Sequence, residues 1–466
     1  VHEEIAYLGA AELAARIRGR ELSPVEIVRA LRERAAELNP RLNAIVTPIP
    51  QAEERALAAE AAVLRGDHLR PLHGVPFTVK DSFDTAGVRT TRGSKLFADH
   101  VPERDAAVVA RLAAAGGIPL AKTNLPEFAL WWETDNLVFG RTRNPWDMER
   151  TAGGSSGGEA AAVAAGLSPL GVGSDLGGSI RLPAHYCGVV GLKPTHGRIP
   201  TTGHWPETLL RFMHVGFLAR SARDIALALS LAAGPDGEDP YAVPVPAPAA
   251  LDGQLPRGLR VGVVTADFGA VDPVVLATVA RAAGILEELG CAIDASTVPG
   301  LAGHDWNAAT MVLYSGGGGP YFQRLVAGRH DELHPALQRR LSVRVESLAD
   351  YVAAEEAVDE LRLDMARFFL EHDVLLCPTV PVPAHGNDAE EVLIDGAVYP
   401  PRTAMRTTIP WDLSGSPALS VPLALSPEGL PIGVQLVGRH FDDALVLTVG
   451  LALEPASDLR NRRPPL

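Results

Sequence analysis

The sequence predicts an α/β protein: a single large domain whose mixed central β-sheet is covered by helices on both faces. Three observations predict it. Short apolar runs alternate with Ala-rich or amphipathic segments of helical period along the whole chain, the pattern of strands packed between helices. The spacing between apolar runs is long and irregular, which favours a mixed sheet over a regular doubly wound unit. The Pro-, Ala- and Asp-rich stretch 235–256 reads as a surface loop rather than a domain boundary, because the strands after it have no obvious sheet of their own to join. The expected organisation is therefore one domain over 1–466, made of N-terminal helices (1–70), a motif-rich core (71–234), the Pro-rich loop (235–256) and a C-terminal half (257–466).

In chain order, Ala10 to Ile17 and Pro24 to Leu38 have helical periodicity, the second with Ser23 as N-cap and proline in the first turn. Gln51 to Leu64 is an Ala/Glu-rich helix. Leu72 to Asp81 reads as a turn entering a buried strand that ends at Lys80, Ala106 to Ala115 as a helix and Ile118 to Lys122 as a strand. Asn124 and Glu127 are spaced as a capping box. The polar run Asn144 to Arg150 reads as no strand, Gly158 to Ala165 as a helix, Leu170 to Gly173 as a strand and Ala222 to Leu231 as a helix. Beyond the loop, the pattern gives strands at Leu259 to Val264, Cys291 to Val298 and Val374 to Pro378 and a helix at Pro273 to Leu289, while Pro335 to Phe369 reads as mostly helical. The glycine run Ser315 to Gly319 reads as a break in regular structure. Ala418 to Leu423 and Ile432 to Gly438 form a late strand pair, closed by a helix from Asp442 to Leu453.

Composition narrows the function. At 466 residues, 47% hydrophobic and 21% charged, the chain can bury a substantial core. A formal net charge of −14 disfavours a nucleic-acid backbone as partner. Three scattered cysteines with no C-x-x-C pair disfavour a disulfide framework or a zinc ribbon. No apolar run is long enough to span a bilayer, and the charged N-terminal stretch lacks a signal-peptide core, so the expectation is a cytoplasmic protein. Basic residues are almost all arginine: the four lysines, Lys80, Lys95, Lys122 and Lys193, all fall between Pro71 and Arg198. Lysine loses its proton when buried and arginine does not, although chance accounts for any single one of them.

The chemistry is concentrated in residues 152–198, which carry Ser155 in GGSSGG and Ser179 in DLGGSIR. Ser155 fits G-x-S-x-G, the nucleophile elbow, but lacks the buried strand that must feed an elbow. Ser179 follows a plausible strand and the small residues Gly177 and Gly178, whose backbone N–H groups could face a developing oxyanion. A serine hydroxyl needs a base. His185 and His196 are near in sequence, and Lys80, ending a buried strand, is the other candidate; spacing does not choose among them. Gly171 and Gly173 are not continued into G-x-G-x-x-G, which removes a dinucleotide site, and His330 with His334 lacks the rest of a zincin motif.

Lys80, GGSSGG and DLGGSIRLPA followed by GLKPTHGR, with PLHGVPFTVKD, AKTNLPEFA, RNPWD, DVLLCPT, SGSPALSVP and LPIGVQLVG in the same order, resemble the amidase signature family of serine hydrolases. That resemblance implies the family's fold and a Ser–cis-Ser–Lys triad: Ser179 as nucleophile, Ser155 as the bridging serine on a cis peptide and Lys80 as general base. It implies an oxyanion hole from the N–H groups of Leu176, Gly177, Gly178 and Ser179, no cofactor and no metal. Asp175 and Arg181 flank the nucleophile and are expected to scaffold its loop by pairing. Trp131, Trp132 and Tyr186 are candidates to line the substrate pocket, each equally well explained as a core aromatic. Glu159, Leu176 and Ser82 depart from the commonest pattern of the family, and these departures weaken its tRNA-dependent amidotransferase branch. The expected activity is hydrolysis of a small amide, with anilide, ester or carbamate (urethane) substrates open, by a monomer or homodimer with no nucleic-acid or membrane partner. The alternatives are a glutaminase of the tRNA-dependent amidotransferase type working in a complex, and a catalytically idle binding member.

Overall fold

The computed structural model describes residues 2–246, 251, 253–345 and 347–466. Eleven strands form one mixed sheet: β1 (Ile45–Pro48), β2 (Pro76–Lys80), β3 (Ile118–Thr123), β4 (Leu170–Asp175), β5 (Val190–Lys193), β6 (His214–Ala219), β7 (Arg260–Val263), β8 (Ala292–Ala295), β9 (Val374–Pro378), β10 (Ala418–Leu425) and β11 (Pro431–Gly438). Their order across the sheet is β1-β3-β2-β4-β6-β5-β10-β11-β9-β7-β8. Strands β3, β2 and β4 run parallel at one end and β9, β7 and β8 at the other, while the pairings between β4 and β9 are antiparallel. Strands from both sides of the Pro-rich stretch thus enter the same sheet. The described residues of 235–256 contain no helix or strand; 247–250 and 252 lie outside the described residues.

Burial on both faces explains why the central strands read as continuous apolar runs. In β9, Val374 and Leu376 face one core while Leu375 and Cys377 face another, as the period of two requires. The helices Ala107–Ala114, Ala222–Ala232, Pro273–Glu288 and Asp443–Leu453 pack on the first face. Gly157–Ala164 and Arg181–Cys187, with Leu348–Glu371 farther along, cover the other. Local signals hold where they were strong: Ser23 Oγ accepts the N–H of Val25 at 3.0 Å, capping the helix Pro24–Leu42.

Three expectations are corrected. The glycine run does not break the chain; it lies inside the helix Trp306–Leu325, where a Cβ on Gly316 would sit 2.6 Å from the Tyr351 ring. Close approach of Tyr351 to the helix backbone, rather than a turn, requires the small residue there, and tertiary packing overrides propensity. The polar run before GGSSGG contains Asp147–Thr151, which pairs with Arg143–Asn144 in a hairpin outside the main sheet. Asn144 Nδ2 ties that hairpin to the carbonyls of Thr151 and Tyr186 at 3.0 and 2.9 Å. Asn124 and Glu127 cap no α-helix: Glu127 instead accepts from Ser94 Oγ at 2.5 Å and from the His334 N–H at 2.6 Å. The stretch 335–369 is mostly helical as expected, in two helices, Pro335–Ser342 and Leu348–Glu371.

Candidate active site

The site lies at the carboxyl ends of two neighbouring parallel strands, where open α/β sheets place their ligands. β2 ends at Lys80, and β4 carries Ser174 and Asp175 beside it. Three of the four lysines, Lys80, Lys122 and Lys193, are fully buried. Lys122 donates to Thr85 and Thr90, and Lys193 to the Ser416 carbonyl at 2.5 Å, so both are consumed by packing.

Lys80 is placed differently. Its Nζ donates to Ser155 Oγ at 2.7 Å and to Ser174 Oγ at 2.9 Å. Burial pulls its pKa down to about 7, against the Asp175 and Glu159 carboxylates, which hold it up. A lysine shifted this way can lose its proton near neutral pH, as a side chain that is to accept a proton must. Ser155 follows a cis Gly154–Ser155 peptide and stands one residue before Ser156, the N-cap of the helix Gly157–Ala164. The Ser156 N–H donates to the Ser179 carbonyl at 3.0 Å, which ties the Ser155 loop to the Ser179 loop. Sequence reading missed Ser174; its only signal was its position beside Asp175 on a strand adjoining that of Lys80.

The Ser179 loop is held by a buried ion-pair network. Asp175 accepts from the N–H groups of Gly178 at 2.5 Å and Ile180 at 3.0 Å, and pairs with Arg181 at 3.0 Å. Burial alone would raise the Asp175 carboxyl; the Arg181 guanidinium and these hydrogen bonds outweigh it and hold the group well below the usual carboxylate range. Arg181 reaches onward to Asp412 at 2.7 Å. On the other side, Thr408 Oγ1 donates to the Gly177 carbonyl at 2.8 Å, and the Tyr314 hydroxyl donates to the Leu176 carbonyl.

Leu176, Gly177 and Ser179 line a narrow cleft with Trp131 and Trp132, whose rings stack at 3.7 Å. Two expectations change here. Gly178 does not line the cleft, and its N–H is committed to Asp175, so the structure removes it from the four expected oxyanion donors. Tyr186 is fully buried among Leu182, Val380 and Val382 and does not line the cleft. His185 and His196 bond backbone groups, the Gly433 N–H at 3.0 Å and the Leu210 carbonyl at 2.9 Å, and neither touches the serines. The remaining lining includes Met405, Ile409, Arg340 and Arg402, none of which sequence reading singled out. Among the described residues no group of His, Cys, Asp and Glu is arranged to hold a metal ion, and no helix is long and apolar enough to cross a membrane.

Comparisons with known proteins give a family and relatives that match over nearly the whole chain. Residues 26–447 match the Amidase family. The chain is 38% identical to the A subunit of a glutamyl-tRNA(Gln) amidotransferase from Moorella thermoacetica, covering 99% of both. It is 35% identical to an acylamidase of Rhodococcus erythropolis, over 99% of this chain and 98% of that one. Among solved structures, 6-aminohexanoate cyclic dimer hydrolase superposes with a TM-score of 0.88 at 30% identity, covering 99% of both chains.

Proposed function

The chain belongs to the amidase signature family, enzymes that act on carbon–nitrogen bonds, and on that premise we propose that it hydrolyses a small amide through a covalent acyl-serine formed at Ser179. Neutral Lys80 accepts the Ser155 proton while Ser155 accepts that of Ser179, whose oxygen attacks the carbonyl carbon. The oxyanion is received by the N–H groups of Leu176, Gly177 and Ser179, which line the cleft. Ser155 then returns a proton to the departing nitrogen, which leaves as an amine or ammonia and takes its new bond's electrons from the C–N bond. Water, activated by the same relay in reverse, hydrolyses the acyl-serine and restores both hydroxyls.

The observation that carries this reading is the 2.7 Å contact of Lys80 with Ser155, made by a lysine whose pKa lies at about 7. The stacked tryptophans, Leu176, Met405 and Ile409 favour a substrate with an apolar or aryl portion, and carbamates and esters share the same acyl chemistry. The test is a panel of amides, anilides, esters and carbamates assayed with the purified chain and with Ser179→Ala. Loss of hydrolysis and of fluorophosphonate labelling in a folded Ser179→Ala protein is expected; retained hydrolysis refutes the assignment.

The identity to the Moorella amidotransferase chain supports a second reading, glutaminase action within a transamidating complex. Hydrolysis of an anilide by the single chain decides against it, and activity confined to glutamine in the presence of partner proteins decides for it.

A further inference from the structure

A second cavity, of about 580 Å³, opens at the far end of the sheet from Lys80 and Ser179 and shares no lining residue with the Ser179 cleft. In the antiparallel pairing of β4 with β6, Ala219 sits opposite Leu170, five residues, or about 17 Å, from the Asp175 end. From there the chain enters the cavity wall through Arg220, Ser221 and Arg223, and the segment after the helix Asp443–Leu453 adds Glu454, Arg460, Arg462 and Arg463. Five arginines thus line one cavity in a chain of net charge −14, and Glu454 is the single acid among its described lining residues. Glu454 is already committed: it accepts the Ser221 hydroxyl at 2.9 Å and the Ala222 N–H at 2.5 Å. Burial pushes its carboxyl up to about 7, which weakens its negative charge at neutral pH. Arg463 pairs with Glu3 at 2.7 Å, but the side chains of Arg223, Arg460 and Arg462 make no hydrogen bond or ion pair among the described residues. Elsewhere exposed arginines do find a carboxylate, as Arg281 finds Asp458 at 2.9 Å and Arg329 finds Glu332 at 2.7 Å.

Arg220 is the fixed point of the set. Its Nη1 donates to the Val163 and Ser168 carbonyls at 2.8 and 3.0 Å and its Nη2 to the Leu8 carbonyl at 2.8 Å, while its Nε is buried with no hydrogen-bond partner. The Tyr7 ring gathers three guanidiniums, of Arg34, Arg220 and Arg463, at 5.1, 5.5 and 4.3 Å from its centre. Burial pushes the Arg220 guanidinium down from its ordinary value, and the like charges of Arg34 and Arg463 add to that. Asp224, which opposes the shift, is itself bound to the Ala11 N–H at 2.8 Å. A guanidinium that meets only neutral oxygens, with like charges beside it, is costly unless an anion completes it. We infer that this cavity binds a phosphate ester, its head held by Arg220, Arg460 and Arg462 and its aromatic or apolar body laid against Trp146, Val189, Leu451 and Leu459. A phosphate offers three acceptor oxygens and can satisfy several guanidiniums at once. Trp146 Nε1 is spent on the Cys187 carbonyl at 2.8 Å, so the indole offers the ligand its apolar surface. The volume falls within the roughly 300–1,000 Å³ of small-molecule sites.

The test measures binding of phenyl phosphate, inorganic phosphate and phenol to the full chain by titration calorimetry. Phenyl phosphate is expected to bind once per chain, about 10-fold or more tightly than phenol, which lacks the charged head, and than inorganic phosphate, which lacks the body. Added salt should weaken phenyl phosphate and leave phenol unmoved. The double variant Arg460→Gln, Arg462→Gln changes two exposed side chains; it should weaken phenyl phosphate about 10-fold or more and leave the thermal midpoint of the free protein in place. Arg220→Lys, which keeps the charge but loses the planar fork, should weaken it as well. No binding of phenyl phosphate at millimolar concentration, phenol or inorganic phosphate bound as tightly as the ester, or an affinity that the double variant does not weaken overturns the assignment.

Discussion

Lys80→Met should abolish hydrolysis and yet stabilise the fold at mildly acidic pH. Burial has moved the Lys80 ammonium from 10.5 to about 7, and each unit corresponds to about 1.4 kcal/mol. Where Lys80 is charged in the folded protein, it therefore costs on the order of 4–5 kcal/mol. Methionine has similar length and no charge to desolvate, but it leaves the Ser155 and Ser174 hydroxyls without this donor, at about 1–3 kcal/mol each. The net gain at pH 6 is on the order of 1 kcal/mol, and its pH dependence is the sharper test. Because the folded pKa is depressed, the penalty is full below pH 7, where both states are protonated. It fades as pH climbs from 7 towards 10.5, where the unfolded chain holds one more proton than the folded one. Wild-type stability from this group thus rises with pH, and the variant's advantage should shrink by roughly 2–3 kcal/mol between pH 7 and pH 9. Lys122 and Lys193, lowered by burial to about 8 and about 7, titrate in both proteins and largely cancel in the difference. The assay is urea unfolding of both proteins at pH 6, 7.5 and 9. A difference that stays flat over that range, or grows with pH, refutes the account of Lys80.

Three further outcomes follow from the same geometry. With a neutral amide, kcat/KM should fall about 10-fold per unit below pH 7 as Lys80 takes up its proton, and level off above it; an acid limb near pH 10 would mean an ordinary lysine. Gly178→Ala should cost about 100-fold or more in kcat/KM, because φ is +124° there and the new Cβ would lie 2.3 Å from Thr408 Oγ1; Gly177→Ala, whose Cβ meets the flexible end of Met405 at 2.9 Å, should be milder. Arg181→Met should lower stability by about 3–5 kcal/mol in thermal or urea unfolding, since it leaves the buried Asp175 and Asp412 carboxylates without their shared cation.

Much of the fold could be read because its strongest signals are local. Val374–Pro378 is apolar throughout, since both of its faces are covered, and Ser23 with Pro24 marks a helix start whatever surrounds it. Strands β1, β5 and β6 escaped notice because they are short or carry glycine or histidine, so only pairing with their neighbours makes them strands. Of the residues that the motifs single out, Lys80 lies against Ser155, and Asp175 lies beneath the Ser179 loop. Tyr186 did not, because closeness in sequence to Ser179 says nothing about which way a helix turns its side chains. Tyr314, Arg340 and Arg402 lie more than a hundred residues downstream, and no spacing rule announces that their helices and turn close over the cleft.

The placement of Lys80 explains why lysine rather than arginine stands there. Pairing of β2 with β4 aligns Val79 with Val172, so Lys80 ends its strand one step beyond that pair, level with Gly173, and its long side chain reaches the Ser174 hydroxyl of the next residue. The helix Gly157–Ala164 begins just after Ser155, and the positive end of its dipole disfavours a cation beside it. Arginine would stay charged in that position and could only donate. Lysine can shed its proton, which turns the cost of burial into basicity near neutral pH. Asp175 and Glu159 set the limit on that drift by raising the lysine back towards protonation. Of these, Asp175 is the more constant influence, since Arg181 keeps it ionised, whereas burial pushes Glu159 up to about 8. The carboxylate that shapes the Ser179 loop therefore also acts on the protonation of Lys80, which couples the geometry of that loop to the charge of the lysine beside Ser155.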